Sequence, residues 1–362
     1  MNLTIEQLAT KLAALYKSYG FESYAMSKFE EYELYLRNKD FLISDSVLTF
    51  TDTDGKLMAL KPDVTLSIIK NTRDTKSVQK LFYRENVYRP GKNDQGFREI
   101  MQVGLECMGN IDNYSILEVL LLAVKSLKTV SDQCVLDVSH MGLLSAVLVK
   151  CSVGDDIKDL VLQAIGSKNA HEIRSLCENT GADPEPLCQL AKLSGPSDAV
   201  MPQLSRIFGE DPMFSQFQSL IAALEKTEAK DSINIDFSVV NDMRYYNGIA
   251  FRGFVKGVPD GVLAGGQYDT LMTKMGRRSK AIGFALYPDS LERMAMPADD
   301  TGICGVLVYE DSAELWTVAQ AVKQMIEKGI AVKALPRSAY VPTDCPCYRL
   351  TEKGVEEVSE NA

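Results

Sequence analysis

Two histidines, one tryptophan and no run of about 18 consecutive apolar residues set the first limits on this 362-residue chain. His140 and His171 are too few and too isolated for a histidine-based metal site or catalytic triad, and both read as structural. The eight cysteines are scattered, and only Cys345 and Cys347 stand close together. No second pair or neighbouring histidine completes a zinc set, so reduced thiols in a cytoplasmic protein are the expectation. A basic surplus is missing too. The net charge of −10 gives no support for a broad nucleic-acid-binding surface. The N-terminal stretch MNLTIEQLATKLAALYK has no basic region, apolar core and small-residue cleavage site of a secretion signal. No membrane segment is expected. Internal repeats and low-complexity tracts are likewise absent, and no glycine-rich phosphate loop follows the strand that begins at Gly305.

What is present is ordinary globular material. A hydrophobic content of 46% with 24% charged residues, at this length, predicts two or three domains with real cores. Thr4 and Gln7 form a capping-box pattern ahead of Ile5, Leu8, Leu12, Leu15 and Tyr19 at helical spacing, with Gly20 as the stop. Residues 47–65 read as a hairpin around Asp-Thr-Asp-Gly that delivers Lys61-Pro62-Asp63-Val64-Thr65 to a helix start. Asp63 and Thr65 at that junction read as a helix cap or as a hold for the amine of a small ligand. Residues 113–129 are a helix apolar on most sides, and 134–150 a strand and a helix. Residues 152–231, broken by several Gly and Pro, read as an all-helical insertion. Strand patterns return at 233–240, 248–255, 262–266 and 281–287, and from Gly305 a single β-α-β unit follows. The expected divisions are 1–151 and 232–296 for a split core, 152–231 for the insertion, and 304–362 for a short C-terminal extension. The class is α+β, one antiparallel sheet with helices on one face.

The most informative stretch is LFYRENVYRPGKNDQGFREIMQVGLECM, residues 81–108, two strands around a Pro- and Gly-bearing turn. In the second strand one alternate set runs Arg98, Ile100, Gln102, Gly104, Glu106, where a structural strand would bury Val or Ile. Gly104 leaves a slot between Gln102 and Glu106, and Arg89 stands at the mouth of the turn. Alone, this hairpin reads as well as a solvated ribbon with surface charges.

Four separated segments carry polar groups where plain strands are expected: Asp63 and Thr65; Arg89, Gln102 and Glu106; Tyr245 and Tyr246; and Gly265-Gly266-Gln267-Tyr268-Asp269. In that order, over roughly residues 1–295, they resemble the amino-acid pocket of the histidyl-tRNA synthetases, which have a class II aminoacyl-tRNA synthetase fold. The resemblance implies that Asp63 and Thr65 hold a ligand α-amino group. It implies that Gln102 faces the ligand backbone, with Arg89 near its carboxylate or a neighbouring acid. Glu106, Tyr246 and Tyr268 would read an imidazole, beside Tyr245. Taken singly, each tyrosine reads first as a core aromatic with a satisfied hydroxyl.

The departures from the synthetase pattern matter as much. Adenylate formation requires cations around the phosphates and a platform for the adenine. Here Ile100 stands where the aromatic is normal, Asn241 where an arginine opens a histidine signature, and Tyr287 and Ser290 where the third class II motif has glycine and arginine. Arg244 and Arg293 lie three residues beyond two of these positions, with Pro288 and the altered spacing against a substitution. A retained pocket without the ATP machinery resembles the ATP phosphoribosyltransferase regulatory subunit, a synthetase-like family without aminoacylation activity. That resemblance implies no catalytic residue, cofactor or metal, and no tRNA. It implies histidine as allosteric ligand, a short-form ATP phosphoribosyltransferase catalytic subunit as partner, and a homodimer within a hetero-oligomer, commonly a hetero-octamer. The other readings are an active histidyl-tRNA synthetase and a stand-alone histidine-binding protein.

Overall fold

A computed structural model describes residues 4–42, 46–91, 96–178, 180–239, 245–291, 304–340, 345–351 and 354–358. These form two compact units, one up to Leu291 and one from Cys304. In the first, α1 (Ile5–Ser18) starts with the expected box: Gln7 N donates to Thr4 Oγ1 and Thr4 N to Gln7 Oε1. Strand β1 (Glu22–Ser23) follows. A small antiparallel sheet is built from β2 (Phe29–Glu31), β3 (Thr49–Thr51) and β4 (Leu57–Leu60), with α2 (Tyr32–Arg37) between the first two. Asp52 Oδ1 closes its hairpin turn by accepting from Asp54 N and Lys56 N.

Then come α3 (Val64–Asn71), the long hairpin β5 (Gln79–Pro90) and β6 (Phe97–Gly109), α4 (Asn113–Val130), β7 (Cys134–His140) and α5 (Met141–Lys150). The stretch up to residue 231 holds α6 (Asp155–Gly166), α7 (Ala170–Cys177), α8 (Glu185–Lys192), β8 (Ser194–Pro196), α9 (Ser197–Phe208) and α10 (Pro212–Leu224). It is therefore not all helical. Ser194–Pro196 pairs antiparallel with β9 (Ile233–Asp236), extending the main sheet. The Gly-Pro pair that reads as a helix breaker is tolerated in a strand at the sheet edge. The unit closes with β10 (Ile249–Val255), β11 (Leu263–Gln267), α11 (Asp269–Lys274) and β12 (Lys280–Leu286).

Among the described residues these strands give a nine-stranded sheet in the order β1-β5-β6-β12-β11-β10-β7-β9-β8. Its middle is antiparallel, but β1 with β5 and β7 with β9 are parallel pairs, which the expectation of a wholly antiparallel sheet missed. Helices lie on both faces, again against expectation. On one, Phe82, Val103, Leu105, Cys107 and Phe284 meet α1 and α4 in the main core. On the other, Tyr83, Val87 and Met108 meet the apolar side of α3, with Leu66, Ile68 and Ile69, and Leu271 and Met272 of α11. The period-2 alternation of the strands makes both cores from the same residues' neighbours. No helix among the described residues is long and apolar enough to cross a membrane.

The second unit begins with β13 (Cys304–Tyr309), α12 (Leu315–Glu327) and β14 (Ala331–Pro336), the expected β-α-β unit. The tail adds β15 (Cys347–Thr351) and β16 (Gly354–Val358), giving a four-stranded mixed sheet in the order β14-β13-β15-β16. A hairpin needs far fewer residues than another helical crossover. The tail is long enough for the first although too short for the second.

Candidate functional site

The site lies on the α3 side of the sheet. The chain leaves β4 through Lys61-Pro62-Asp63, and Asp63 caps α3 by accepting from Leu66 N at 2.9 Å. The cap is real, and Asp63 also faces the cavity described below. Arg89 on β5 donates from Nε to the carbonyl of Pro62 at 2.8 Å, and its Nη2 stands 3.9 Å from Asp63 Oδ2. Lys61 is fully buried, with its ammonium 2.8 Å from Glu85 Oε2 on β5. The turn that carries Asp63 and Thr65 is thus pinned to β5 from two sides.

Strand β6 contributes Gln102 and Glu106, both buried. Thr65 donates to Glu106 Oε1 at 2.8 Å, and Tyr268, at the start of α11, donates to Oε2 at 2.6 Å. The Glu106 carboxylate lies over Gly283 of β12, its register partner. A Cβ at 283 would run into Oε2 and the Leu105 carbonyl, so the close approach requires glycine. Tyr245 packs edge-on against Tyr246 with centroids 4.9 Å apart, and lies 5.9 Å from the Tyr268 ring. The Gln102 amide is 3% exposed and has no hydrogen bond to any described residue. All eight residues singled out in the sequence — Asp63, Thr65, Arg89, Gln102, Glu106, Tyr245, Tyr246 and Tyr268 — line one cavity of about 70 Å³.

The sequence reading did not place Tyr83, Tyr287, Phe284 or the small residues Ala264, Gly283 and Ala285 in the cavity wall. It also expected an open slot over Gly104. Tyr83, the register partner of Gly104 on β5, lays its phenol end there instead. The signal available was the spacing of small residues at alternate positions of AIGFALY, which leaves room above the sheet.

Electrostatically the floor is acidic and buried. Burial pushes the Glu106 carboxyl up to about 8, against the pull of its bonds to Tyr268 and Thr65, and the Asp63 charge pushes the same way. Burial also raises Asp63, opposed by the Arg89 guanidinium and the backbone donors of α3. Tyr83, Tyr245 and Tyr268 are raised by burial and by the neighbouring carboxylates, so their hydroxyls stay protonated at neutral pH. A half-open pocket with two acids, an arginine, an open amide and phenols fits a small zwitterion carrying an extra polar group. Among the described residues no group of three or more His, Cys, Asp or Glu is arranged to hold a metal.

On the nucleotide side, Ile100 is half-buried against the second core, and Tyr287 turns into the cavity. Ser290 lies in a short 3-10 turn, Pro288–Leu291, whose Asp289 accepts from Met101 N at 2.9 Å. Asn241, Arg244, Arg293 and residues 92–95 of the hairpin turn lie outside the described residues. Of the two histidines, His140 caps α5 by accepting from Leu143 N, and His171 is exposed on α7.

A helix-flanked sheet with antiparallel centre and an amino-acid-sized cavity on one face is the class II aminoacyl-tRNA synthetase-like architecture. Within that class, residues 2–291 match the histidyl-tRNA synthetase family, and the chain belongs to it. One relative, named ATP phosphoribosyltransferase regulatory subunit, from Caldanaerobacter subterraneus subsp. tengcongensis, is 28% identical over 296 residues, 79% of this chain and 76% of that protein. A histidine–tRNA ligase of Methanocaldococcus jannaschii is 26% identical over 337 residues, 91% of this chain and 79% of that one. Among solved structures, an ATP phosphoribosyltransferase regulatory subunit/histidyl-tRNA synthetase from Bacillus halodurans superposes with a TM-score of 0.78 at 19% identity, over 94% of this chain and 90% of that one. A chain of the ATP phosphoribosyl transferase (HisG:HisZ) complex from Thermotoga maritima gives 0.63 at 20% identity, over 79% and 98%.

Proposed function

We propose that this chain is the regulatory subunit of ATP phosphoribosyltransferase, in the first step of histidine biosynthesis. It has no catalytic residue, cofactor or metal of its own and no tRNA substrate. It binds histidine in the cavity around Glu106, supports a short-form catalytic subunit, and makes that subunit sensitive to histidine. The carrying observation is the cavity: eight residues from four distant segments converge there, with the acid Glu106 at its floor and the open Gln102 amide beside it. Histidine supplies a cationic amine for Asp63 and Thr65, a carboxylate for Arg89, and ring nitrogens for Glu106, Tyr246 and Tyr268, with Tyr245 packed beside the ring. The names carried by several relatives support the regulatory role, and the Thermotoga complex supports the kind of partner. Ile100 and Ser290, together with Asn241, are the basis for reading the ATP half as lost. Regulation then follows from linkage. Histidine binds one state of the assembly better and shifts the population towards the inhibited form. The assembly we expect is a homodimer of this chain within a hetero-octamer, in the cytoplasm.

The test is co-expression with a short-form catalytic subunit, with activity measured with and without histidine. A complex with raised, histidine-inhibited activity is expected. No complex and no change in rate would overturn the reading. Histidine-dependent exchange between pyrophosphate and ATP would replace it with an active synthetase, and histidine binding without any hetero-complex with a stand-alone binder.

A further inference from the structure

Strand β12 changes in size along the face that meets the cavity. Ile282 and Leu286 belong to the main core on one side of the sheet, and the alternate residues Gly283, Ala285 and Tyr287 line the cavity on the other. In register, Gly283 pairs with Glu106 of β6, Ala285 with Gly104, and Leu286 with Val103. One residue on, Tyr287 stands level with Gln102. The floor thus runs from no side chain at the Glu106 end, through a methyl group, to a whole phenol at the Gln102 end. The backbone that carries this phenol is fixed on both sides. Tyr287 N donates to the Val262 carbonyl at 2.8 Å, and the Tyr287 carbonyl accepts from Ser290 N at 3.1 Å. The turn that follows, Pro288–Leu291, is tied back to β6, where Asp289 Oδ2 accepts from Met101 N at 2.9 Å.

We propose that Tyr287 is a specificity-determining residue: it ends the cavity at the Gln102 side, admitting amino acids with a free carboxylate and rejecting those whose carboxyl group carries a substituent. The proposal rests on the reading that the cavity holds histidine, with its ring toward Glu106 and its carboxylate toward Arg89. In that orientation an added group is directed at the Gln102 end, where the phenol already fills the space over the sheet. It must displace a side chain whose backbone cannot give way, and crowding of a filled site is costly. The protein then reads the pool of free amino acid. Acyl-activated and esterified forms of the same amino acid go unread.

Calorimetric titration of the full chain with L-histidine and with its N-acyl methanesulfonamide tests this. The acylsulfonamide keeps an ionised group next to the carbonyl and adds a methylsulfonyl group beyond it, so charge is retained while length changes. The wild type is expected to bind histidine and to take the acylsulfonamide roughly 10- to 200-fold more weakly. Tyr287→Ala should narrow that gap by about tenfold or more. Tyr287→Phe, which keeps the bulk and loses only the hydroxyl, should retain it. Wild-type binding of the acylsulfonamide as tight as that of histidine would overturn the proposal, and needs no variant that might fold poorly. So would a folded Tyr287→Ala protein with an unchanged gap, or a Tyr287→Phe protein in which the gap has closed. A wild type that binds no histidine at all would instead overturn the assignment of the cavity itself, which separates the two failures.

Discussion

Thr65 and Tyr268 hold opposite oxygens of one buried carboxylate, Glu106, at 2.8 and 2.6 Å, from a helix start before it in the chain and a strand-to-helix junction 162 residues after it. Both donors are hydroxyls, which can rotate to a new acceptor when a ligand proton reaches Glu106. The acid is held in place without being paired to a cation. That explains its raised proton affinity and gives the first expectation.

Between the ordinary carboxyl value of 4.5 and about 8, the native protein keeps a proton on Glu106 that the unfolded chain has lost. The native state then binds more protons, so stability must fall as pH rises through this window. Thermal midpoints of the ligand-free protein should decline from about pH 5 to about pH 8 and level off above it. Glu106→Gln, which removes the titrating group, should flatten that decline and at the same time weaken histidine binding roughly 10- to 100-fold. A steep decline that survives in Glu106→Gln would assign it elsewhere, Asp63 being the next candidate.

Gly283→Ala is a second expectation. The added methyl meets the Glu106 carboxylate and the Leu105 carbonyl, so either the acid swings away or strands β6 and β12 part locally. Histidine binding should drop at least about tenfold, with a lowered thermal midpoint. Circular dichroism and calorimetry on the same sample would separate the two effects. Undiminished affinity would show that Glu106 need not sit over Gly283 to read the ligand.

The buried pair Lys61–Glu85 gives a third. Lys61→Met leaves Glu85, itself only 16% exposed, beside an apolar group and should destabilise the first unit by about 3–5 kcal/mol. Adding Glu85→Leu should restore much of the loss, because the pair as a whole contributes little net stability. Chemical denaturation of the two variants checks this. A double variant no better than the single would mean that Met26 N, which donates to Glu85 Oε1, matters more than the lysine.

The polar residues on β6 were legible because Gln102 and Glu106 fall at alternate positions where burial favours Val or Ile. Tyr268 was legible only through the resemblance of Ala264-Gly265-Gly266-Gln267-Tyr268-Asp269 to a histidine signature. Tyr83 was not. In LFYRENVY an aromatic is what a core strand normally holds, and only the register against Gly104 reveals that its hydroxyl reaches the cavity. Lys61 was hidden for a different reason, since a lysine before a proline turn reads as solvated, and its partner is 24 residues away on another strand. The parallel edge pairs depend on which strands meet across long connections, and local pattern carries little of that.

The split of the pocket across the insertion has a consequence for how the protein is made. Asp63, Thr65, Arg89, Gln102 and Glu106 leave the ribosome first. The helices α5 to α10 and the short strand β8 follow, and only then do Tyr245, Tyr246, Tyr268 and the floor glycine of β12. Until β12 pairs with β6, Glu106 has lost one of its two donors and the wall beneath it. A nascent chain therefore gains its grip on a small molecule only at the end of folding of the first unit. Affinity for that molecule doubles as a certificate that the sheet has closed, and a free ligand pool would stabilise finished subunits over partly folded ones.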